Sequence, residues 1–406
     1  MREYAHRKAS VRLQVTDAAG RPVRNALLET EQTEHSFLFG FGAFDSIPFA
    51  NGGEEDPFLK ERMEKWLGLC NYGTLPFYWG RYEPEEGRPA FESLMNAASY
   101  LAGRKVKLKG HPLCWHTVCA DWLMKYDNPT ILAKQLDRIT RDVAAFRGVI
   151  DFWDVINEVV IMPVFDRYDN AVTRICRAYG QVGLVKEVFA AAKSANPEAV
   201  LLINDFNLSG DYAELIARCL DTGVPIGAIG LQTHQHQGYM GIEKLGEVLR
   251  RFEVFGLPLH FTENTLVSGH LMPPHIVDLN DYVVDDWPTT PEGEERQAEE
   301  LEEMYRFLFD HPLVEAVTGW DFADGGWLGA PAGVIRKDNG EKPAYEALRR
   351  LIRGEWHTAG TLRTDERGFT EAEGFKGTYR LRAADGSSGS YELASGDAVT
   401  QVILRK

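Results

Sequence analysis

The chain has 406 residues, of which 44% are hydrophobic and 26% are charged. This composition is ordinary for a globular protein, and the length suits one large domain together with a small one. A net charge of −16, without a block of lysine and arginine, makes nucleic acids and anionic membranes poor partners.

The first predicted elements, in residues 10–34, are β-strands. Residues 11–15 alternate apolar and polar side chains, residues 17–22 combine aspartate, glycine and proline as turns do, and alternation resumes over residues 23–30. Two alternating runs separated by such a turn are typical of a β-hairpin. An isolated hairpin is marginally stable in water, so this one needs a partner elsewhere in the chain.

From about residue 36 the pattern changes to short apolar runs, each followed by a helical segment. Apolar residues three and four apart over 58–67 and 131–146 indicate two of the helices. Eight strands separated by helices are the count of a (β/α)8 TIM barrel, whose active site lies at the C-terminal strand ends. The predicted strands lie at residues 37–42, 69–72, 106–111, 151–157, 200–205, 228–234, 257–263 and 316–321.

Beyond about residue 354 the chain returns to alternating runs between turns, which predicts a tail of about four β-strands. We expect the two β-rich ends to pair into one small accessory domain that resembles a β-sandwich. The predicted organisation is an N-terminal β segment of that domain (1–35), a catalytic (β/α)8 barrel (36–353) and a C-terminal β segment of the accessory domain (354–406).

The N-terminus and the cysteines bear on the cellular compartment. No stretch approaches the roughly 20 apolar residues of a membrane span, and the charged residues 1–8 have no apolar segment behind them, so no signal peptide is evident. The five cysteines are odd in number and include no Cys-x-x-Cys pair, which disfavours a zinc knuckle or disulfide framework. These features favour the cytoplasm, although a secreted protein whose signal peptide has been removed would show them too.

Two of the predicted strands end in a glutamate. Glu158 closes the apolar run at residues 151–159, and Glu263 closes the run at residues 257–264. Double-displacement cleavage of a glycosidic bond requires two carboxylates, one to protonate the leaving oxygen and one to attack the anomeric carbon. A single Asn-Glu after a strand is more often a helix cap or a surface ion-pair partner, so the other strand ends must decide.

The other strand ends carry aromatic, imidazole and amide side chains. A tryptophan there can stack on the apolar face of a sugar, and an imidazole can hydrogen-bond its hydroxyls. The chain has nine tryptophans, several of them in these positions. The ends in question are His111 with Trp115-His116, Gln232 with His234 and His236, and Trp320-Asp321 with Asp324 and Trp327.

Two other classes of protein are compatible with parts of this pattern. A metal-dependent TIM-barrel hydrolase would use His234 and His236 with His111 and Asp324, because a His-x-His at a strand end is a recurrent ligand pair. It would leave the paired glutamates unexplained. A non-catalytic carbohydrate-binding barrel is the second alternative, and retention of both glutamates argues against it.

Taken in order, the strand ends resemble those of glycoside hydrolase family 10, the retaining β-xylanases and their relatives. The resemblance extends over about residues 36–352 and preserves the order and approximate spacing of six motifs. These read His111…Trp115-His116, Trp153-Asp154-Val155-Ile156-Asn157-Glu158, Asn204-Asp205-Phe206-Asn207, Gly230-Leu231-Gln232-Thr233-His234, Thr262-Glu263 and Trp320-Asp321…Asp324…Trp327.

The resemblance implies a retaining hydrolase of β-glycosidic bonds, with β-1,4-xylosidic bonds the expected target and no cofactor or metal. Glu158 would be the acid/base and Glu263 the nucleophile. Asn157 would bind the 2-hydroxyl of the reacting sugar, and His234 would hydrogen-bond the nucleophile. The remaining expected substrate-binding residues are His111, Trp115, Gln232 and Trp320 around the reacting sugar, with Asn204 and Trp327 nearby.

One motif departs from the family. Its second strand ends in Glu-Asn-x-Met-Lys-Trp, whose polar side chains hold the sugars on the non-reducing side, whereas this chain has Leu75, Pro76 and Tyr78 in place of the Glu, Asn and Lys. A long insertion after the seventh strand, with His270, His275 and Trp287, adds bulk. We therefore expect an oligosaccharide or glycoside substrate that is short or decorated, rather than long unsubstituted xylan. The sequence leaves the oligomeric state open.

Overall fold

The computed structural model describes residues 4–394 and 399–406. The chain divides into two compact units. One, the terminal unit, comprises the residues up to Leu38, residues 309–312 and the residues from Ala347 onward. The other, the barrel unit, comprises Phe39–Leu308 and Leu313–Glu346.

The strands are given in chain order. They are β1 (Lys8–Asp17), β2 (Leu27–His35), β3 (Leu38–Gly42), β4 (Tyr72–Pro76), β5 (Lys107–His111), β6 (Phe152–Asn157), β7 (Val200–Asp205), β8 (Ala228–Gln235), β9 (Leu259–Leu266), β10 (Val314–Gly319), β11 (Ala359–Arg363), β12 (Phe369–Phe375), β13 (Gly377–Ala383), β14 (Ser388–Leu393) and β15 (Thr400–Leu404).

The α-helices are α1 (Ser46–Pro48), α2 (Pro57–Leu69), α3 (Trp79–Tyr82), α4 (Phe91–Ala102), α5 (Asn128–Ala145), α6 (Ala171–Tyr179), α7 (Gln181–Ala195), α8 (Gly210–Asp221), α9 (Gly241–Phe252), α10 (Pro291–Phe309) and α11 (Pro343–Arg350). Short 3-10 turns occur at Ala5–Arg7, Asp121–Lys125, Glu253–Phe255, Leu279–Asp281 and Trp327–Gly329, and π-type turns at Phe49–Gly53 and Leu351–Glu355.

The strands β3 to β10 form a closed parallel barrel in the order β10-β3-β4-β5-β6-β7-β8-β9. The predicted (β/α)8 TIM barrel is therefore confirmed. The second strand was predicted too early, at residues 69–72, whereas β4 begins at Tyr72. Leu69 instead ends α2, which starts at the Asp56 cap and buries Met63, Trp66 and Leu69 along one face.

The terminal unit contains two sheets drawn from both ends of the chain, as predicted. One sheet has the order β12-β1-β15 and the other β11-β2-β13-β14. Their shared core includes Leu13 of β1, Leu28 of β2 and Leu381 of β13, all fully buried. Within the described residues the tail supplies five strands, β11 to β15, where about four were predicted.

The predicted hairpin between the first two strands is wrong. β1 pairs with β12 and β15, and β2 pairs with β11 and β13. Placing β1 and β2 in different sheets lets Leu13 and Leu28 reach one core from two sheets, which a two-stranded ribbon does not allow. In the part of the chain that the structure describes, no helix combines the length and apolarity needed to span a membrane.

Candidate active site

The parallel barrel brings the ends of β4 to β10 to one rim, where Glu158 and Glu263 lie. Glu263 is within β9, and Glu158 follows β6 directly. Glu158 has a φ of 56°, in the left-handed region that non-glycine residues seldom adopt. Its backbone N–H donates to the carbonyl oxygen of Asn204 at 2.8 Å, which holds this conformation at the rim. Strain of this kind concentrates at functional sites.

Glu263 lies among an amide and two imidazole rings. Its Oε1 accepts from Asn204 Nδ2 at 2.8 Å, and its Oε2 lies 3.2 Å from His234 Nε2. His111 Nε2 lies 3.8 Å from Oε1. Burial alone raises the pKa of Glu263, but His111, the hydrogen bond from His234 and the more distant Lys109 outweigh it and hold this pKa below its usual value. Glu263 is therefore ionised at neutral pH.

Glu158 has weaker partners. The indole N–H of Trp115 donates to its Oε2 at 2.8 Å, and Asn157 Nδ2 donates to its Oε1 at 3.2 Å. Burial raises the pKa of Glu158 to about 8, and the negative charges of Glu263 and Asp205 add to the rise, while the Trp115 hydrogen bond opposes it. Glu158 therefore carries a proton at neutral pH, beside a carboxylate that does not.

A network of side-chain amides connects the two carboxyl groups. Asn204 Nδ2 also donates to Asn157 Oδ1 at 2.8 Å, and Gln232 Nε2 donates to the same oxygen at 3.0 Å. Asn204 is fully buried, and its Oδ1 accepts from the hydroxyl of Thr262 at 2.6 Å. These contacts use both ends of the Asn204 amide and join Asn157 to Glu263.

The close approach of Asn204 to β8 explains the glycine of the Gly-Leu-Gln motif. A Cβ atom on Gly230 would lie 2.3 Å from Asn204 Oδ1. Any larger residue would displace the amide that binds both Asn157 and Glu263. The Gly-Leu-Gln motif therefore contributes to the network in two ways. Gly230 leaves room for Asn204, and Gln232 donates to Asn157.

Beneath the site lies a buried ion cluster that the sequence analysis missed. Asp154 Oδ2 lies 2.7 Å from Lys109 Nζ and 2.7 Å from His111 Nδ1, and both Lys109 and Asp154 are fully buried. Burial raises the pKa of Asp154, but Lys109 and His111 outweigh it and keep this carboxyl ionised. Asp154 thus accepts from His111 Nδ1 and aims the Nε2 of that ring at Glu263.

Aromatic rings line the cleft around this polar floor. Trp115 and Tyr78 lie 5.6 Å apart between ring centroids, and Tyr78 and Trp320 meet His111 at 5.8 and 5.3 Å. Trp327 lies 4.6 Å from His234. Tyr78, which follows β4 where the family pattern is broken, thus joins the aromatic residues of the site.

Every residue predicted for the site lies in this cluster. Glu158 and Glu263 form its centre, and the rings of Trp115, His111, His234, Trp320 and Trp327 and the amides of Asn157, Asn204 and Gln232 surround them.

The histidines of the metal-dependent alternative have other partners. His236 is fully buried, packs 6.0 Å from Trp287 and 5.2 Å from Trp327, and has its pKa lowered to about 3 by burial and the nearby His234. Among residues 4–394 and 399–406, no group of three or more histidine, cysteine, aspartate or glutamate side chains is placed to hold a metal ion.

Comparison with known proteins gives consistent matches. The sequence model of glycosyl hydrolase family 10 matches residues 77–351. Endo-1,4-beta-xylanase B of Thermotoga neapolitana is 27% identical over 291 residues, covering 68% of this chain and 78% of the relative. Native xylanase 10B from Thermotoga maritima has a similar fold, with a TM-score of 0.63 and 22% identity over 79% of this chain and 96% of that one.

A further match extends beyond the barrel. Anti-sigma-I factor RsgI6 of Acetivibrio thermocellus is 25% identical over 395 residues, which is 95% of this chain. An alignment of that length takes in the terminal segments as well. This chain spans about half of that relative, 46% of its length.

The buried ion pair gives a prediction for stability. Lys109→Met leaves the Asp154 carboxylate buried without its cation, so we expect the free energy of unfolding to fall by about 3–5 kcal/mol. Lys107→Met, at the exposed start of the same strand, is the matched control and should change it by no more than about 0.5 kcal/mol. Chemical denaturation of both variants measures this, and equal effects would show that the Lys109 charge is not needed.

Proposed function

This chain belongs to glycosyl hydrolase family 10, and on that basis we propose that it is a retaining glycoside hydrolase that cleaves β-1,4-xylosidic bonds by double displacement. The observation that carries the proposal is the unequal environment of its two central carboxyl groups. Burial keeps a proton on Glu158, while His111, His234 and Lys109 keep Glu263 ionised. One acid and one nucleophile, both available at neutral pH, are what the first step needs.

In that step a Glu263 oxygen bonds to the anomeric carbon as the glycosidic bond breaks. Glu158 transfers its proton to the departing oxygen, which leaves as an alcohol. An ionised Glu263 only accepts hydrogen bonds, so His234 donates to it from Nε2, and Asn204 donates to the other oxygen. These donors fix the direction of the attacking lone pair.

The second step reverses the role of Glu158. Once Glu263 is esterified to the sugar it carries no charge, and one of the causes of the raised pKa of Glu158 disappears. Glu158, now ionised, takes a proton from water as the water oxygen attacks the anomeric carbon, and Glu263 leaves as a carboxylate. The anomeric configuration is retained because it is inverted twice.

The reacting sugar would be held by the groups above the carboxylates. Asn157 donates one amide hydrogen to Glu158 and has a second for a sugar hydroxyl, which supports its proposed contact with the 2-hydroxyl. Trp115, Trp320 and Tyr78 offer ring faces and edges to the apolar side of the sugar. Trp115 also connects sugar and acid, since its indole N–H is bound to Glu158.

We also propose that the substrate is short or decorated. Of the residues that replace the polar triplet of the second strand, Leu75 is fully buried in β4 and contributes no surface to the cleft. Tyr78 lies against Trp115 and His111 and replaces a polar contact by a bulky ring. An apolar wall discriminates among sugars less strongly than a site that hydrogen-bonds their hydroxyls.

Kinetics of two variants test the mechanism. Glu263→Ala should abolish turnover of every glycoside, because no glycosyl-enzyme forms. Glu158→Ala should slow cleavage of unactivated xylosides by about 10²–10⁴-fold. It should still release an activated aryl leaving group, and azide should rescue its second step as a glycosyl azide of retained configuration. Polarimetry or NMR of the wild-type product is the control, and a product of inverted configuration contradicts the assignment.

Substrate length tests the second proposal. We compare kcat/KM on xylohexaose and on an aryl β-xyloside, with the hexaose products resolved over time. The apolar wall at Tyr78 predicts inefficient hexaose cleavage, concentrated near the chain ends. Efficient cleavage in the middle of the hexaose would show that the lost polar residues are dispensable. Turnover of the aryl xyloside by the wild type would also rule out a non-catalytic carbohydrate-binding barrel.

A further inference from the structure

The loops at the rim of the barrel differ greatly in length. Residues 206–209 after β7 and residues 236–240 after β8 are short connections to α8 and α9. The flanking connections are long: residues 158–170 follow β6, and residues 267–290 follow β9. The two long loops follow the strands that carry Glu158 and Glu263.

The two long loops are joined to each other by an arginine. Arg167 Nη1 lies 2.6 Å from Asp278 Oδ2, and Arg167 Nη2 lies 3.0 Å from Asp281 Oδ1. The two terminal nitrogens of this guanidinium thus bind different carboxylates. Because β7 and β8 lie between β6 and β9 in the barrel, this connection joins the two loops that flank the short loops after β7 and β8. We call Arg167, Asp278 and Asp281 the strap.

The loop after β6 packs against His116, a neighbour of Glu158. Phe165 lies 4.4 Å from the ring of His116, whose Nε2 is 4.0 Å from Glu158 Oε2. Arg177 of α6 donates to the carbonyl oxygens of Pro163 and Phe165 at 2.7 and 2.9 Å. Arg167 therefore lies two residues beyond Phe165, whose ring and backbone are both held in place.

The loop after β9 is also held in place by several contacts. Gln237 Nε2 donates to the carbonyl oxygens of Pro273 and Ile276, at 2.9 and 2.7 Å. Trp287 is 2% exposed and packs with Met272 in a separate apolar cluster at the base of this loop. The carboxylates of the strap are thus held close to residues whose positions are fixed by the barrel rim.

The strap itself is the weak part of this arrangement. The side chains of Arg167, Asp278 and Asp281 are 47%, 43% and 60% exposed. Ion pairs as exposed as these stabilise little and are screened by salt. The two loops are well packed and only the exposed ion pairs of Arg167 join them. These ion pairs can therefore break without disturbing Glu158 and Glu263.

We propose that the strap closes the half of the cleft over β7 and β8 and thereby determines how long a sugar chain the protein accepts there. The inference rests on the proposed function. In the family pattern, the polar side chains after the second strand, here β4, hold the sugars on the non-reducing side. The half of the cleft over β7 and β8 would therefore bind the leaving-group sugars. Phe206, 45% exposed in the short loop after β7, offers them a ring face. A sugar chain that ends beside Phe206 fits under the closed strap. A longer sugar chain requires Arg167 to release Asp278 and Asp281.

The experiment compares kcat/KM on xylohexaose with kcat/KM on an aryl β-xyloside, whose leaving group is too short to meet the strap. Arg167→Gln should raise the ratio roughly two- to tenfold, the range expected for losing two exposed ion pairs. The aryl xyloside rate should stay within about twofold, since no catalytic group is changed. Asp278→Asn/Asp281→Asn removes the carboxylates that pair with Arg167 and should give the same rise in the ratio. Added salt should raise the ratio in the wild type only.

Arg21→Gln is the control for loss of one surface charge, because Arg21 forms an exposed ion pair with Asp17 in the terminal unit. It should leave the ratio unchanged. The triple variant Arg167→Glu/Asp278→Arg/Asp281→Arg, with the charges exchanged, should return the ratio towards the wild-type value. An unchanged ratio in active Arg167→Gln and Asp278→Asn/Asp281→Asn would overturn the strap while leaving the proposed function intact. Absence of aryl xyloside turnover in the wild type would overturn both.

Discussion

The structure depends on two buried carboxyl groups, Glu158 and Glu263, that belong to one hydrogen-bond network. Their surroundings differ, and only those of Glu263 favour the ionised form. His111, His234 and Lys109 all act on Glu263, and the nearest donors to Glu158 are a neutral indole and a neutral amide. Two buried carboxylates at close quarters cannot both ionise at low cost. The protein therefore holds the two groups in opposite protonation states before any substrate arrives, and acid and nucleophile are distinguished by surroundings rather than by residue type.

The barrel makes this asymmetry possible because it brings together side chains from several different strands. Asn204 of β7 binds Glu263 of β9 and Asn157 of β6, and it fits only because β8 has a glycine opposite it. The Lys109–Asp154 pair lies one layer lower and fixes the His111 ring. No local segment could assemble these groups, so the geometry is a property of strand order and register.

Features with a local signal could be predicted from the sequence, and features created by distant pairing could not. The eight barrel strands and the residues at their ends follow from period and motif. Lys109 had no separate signal, because it shares its face of the strand with Lys107, which is exposed at the start of β5. The hairpin was misread because the pairing of β1 with β12 leaves no local trace. Tyr78 was named as a replacement in the broken motif, but its packing against His111 and Trp115 depends on contacts between strands. The pairing of Arg167 with Asp278 joins residues 111 positions apart in the chain.

The pH dependence of kcat/KM tests the central claim most directly, because it reports the ionisations of the free enzyme. A protonated Glu158 and an ionised Glu263 predict a rate that falls on the alkaline side near pH 8 and on the acid side below the usual glutamate range. Trp115→Phe removes the hydrogen bond that lowers the pKa of Glu158, so its alkaline limb should move to higher pH. An alkaline limb close to the ordinary glutamate value of about 4.3, in either protein, would contradict the account.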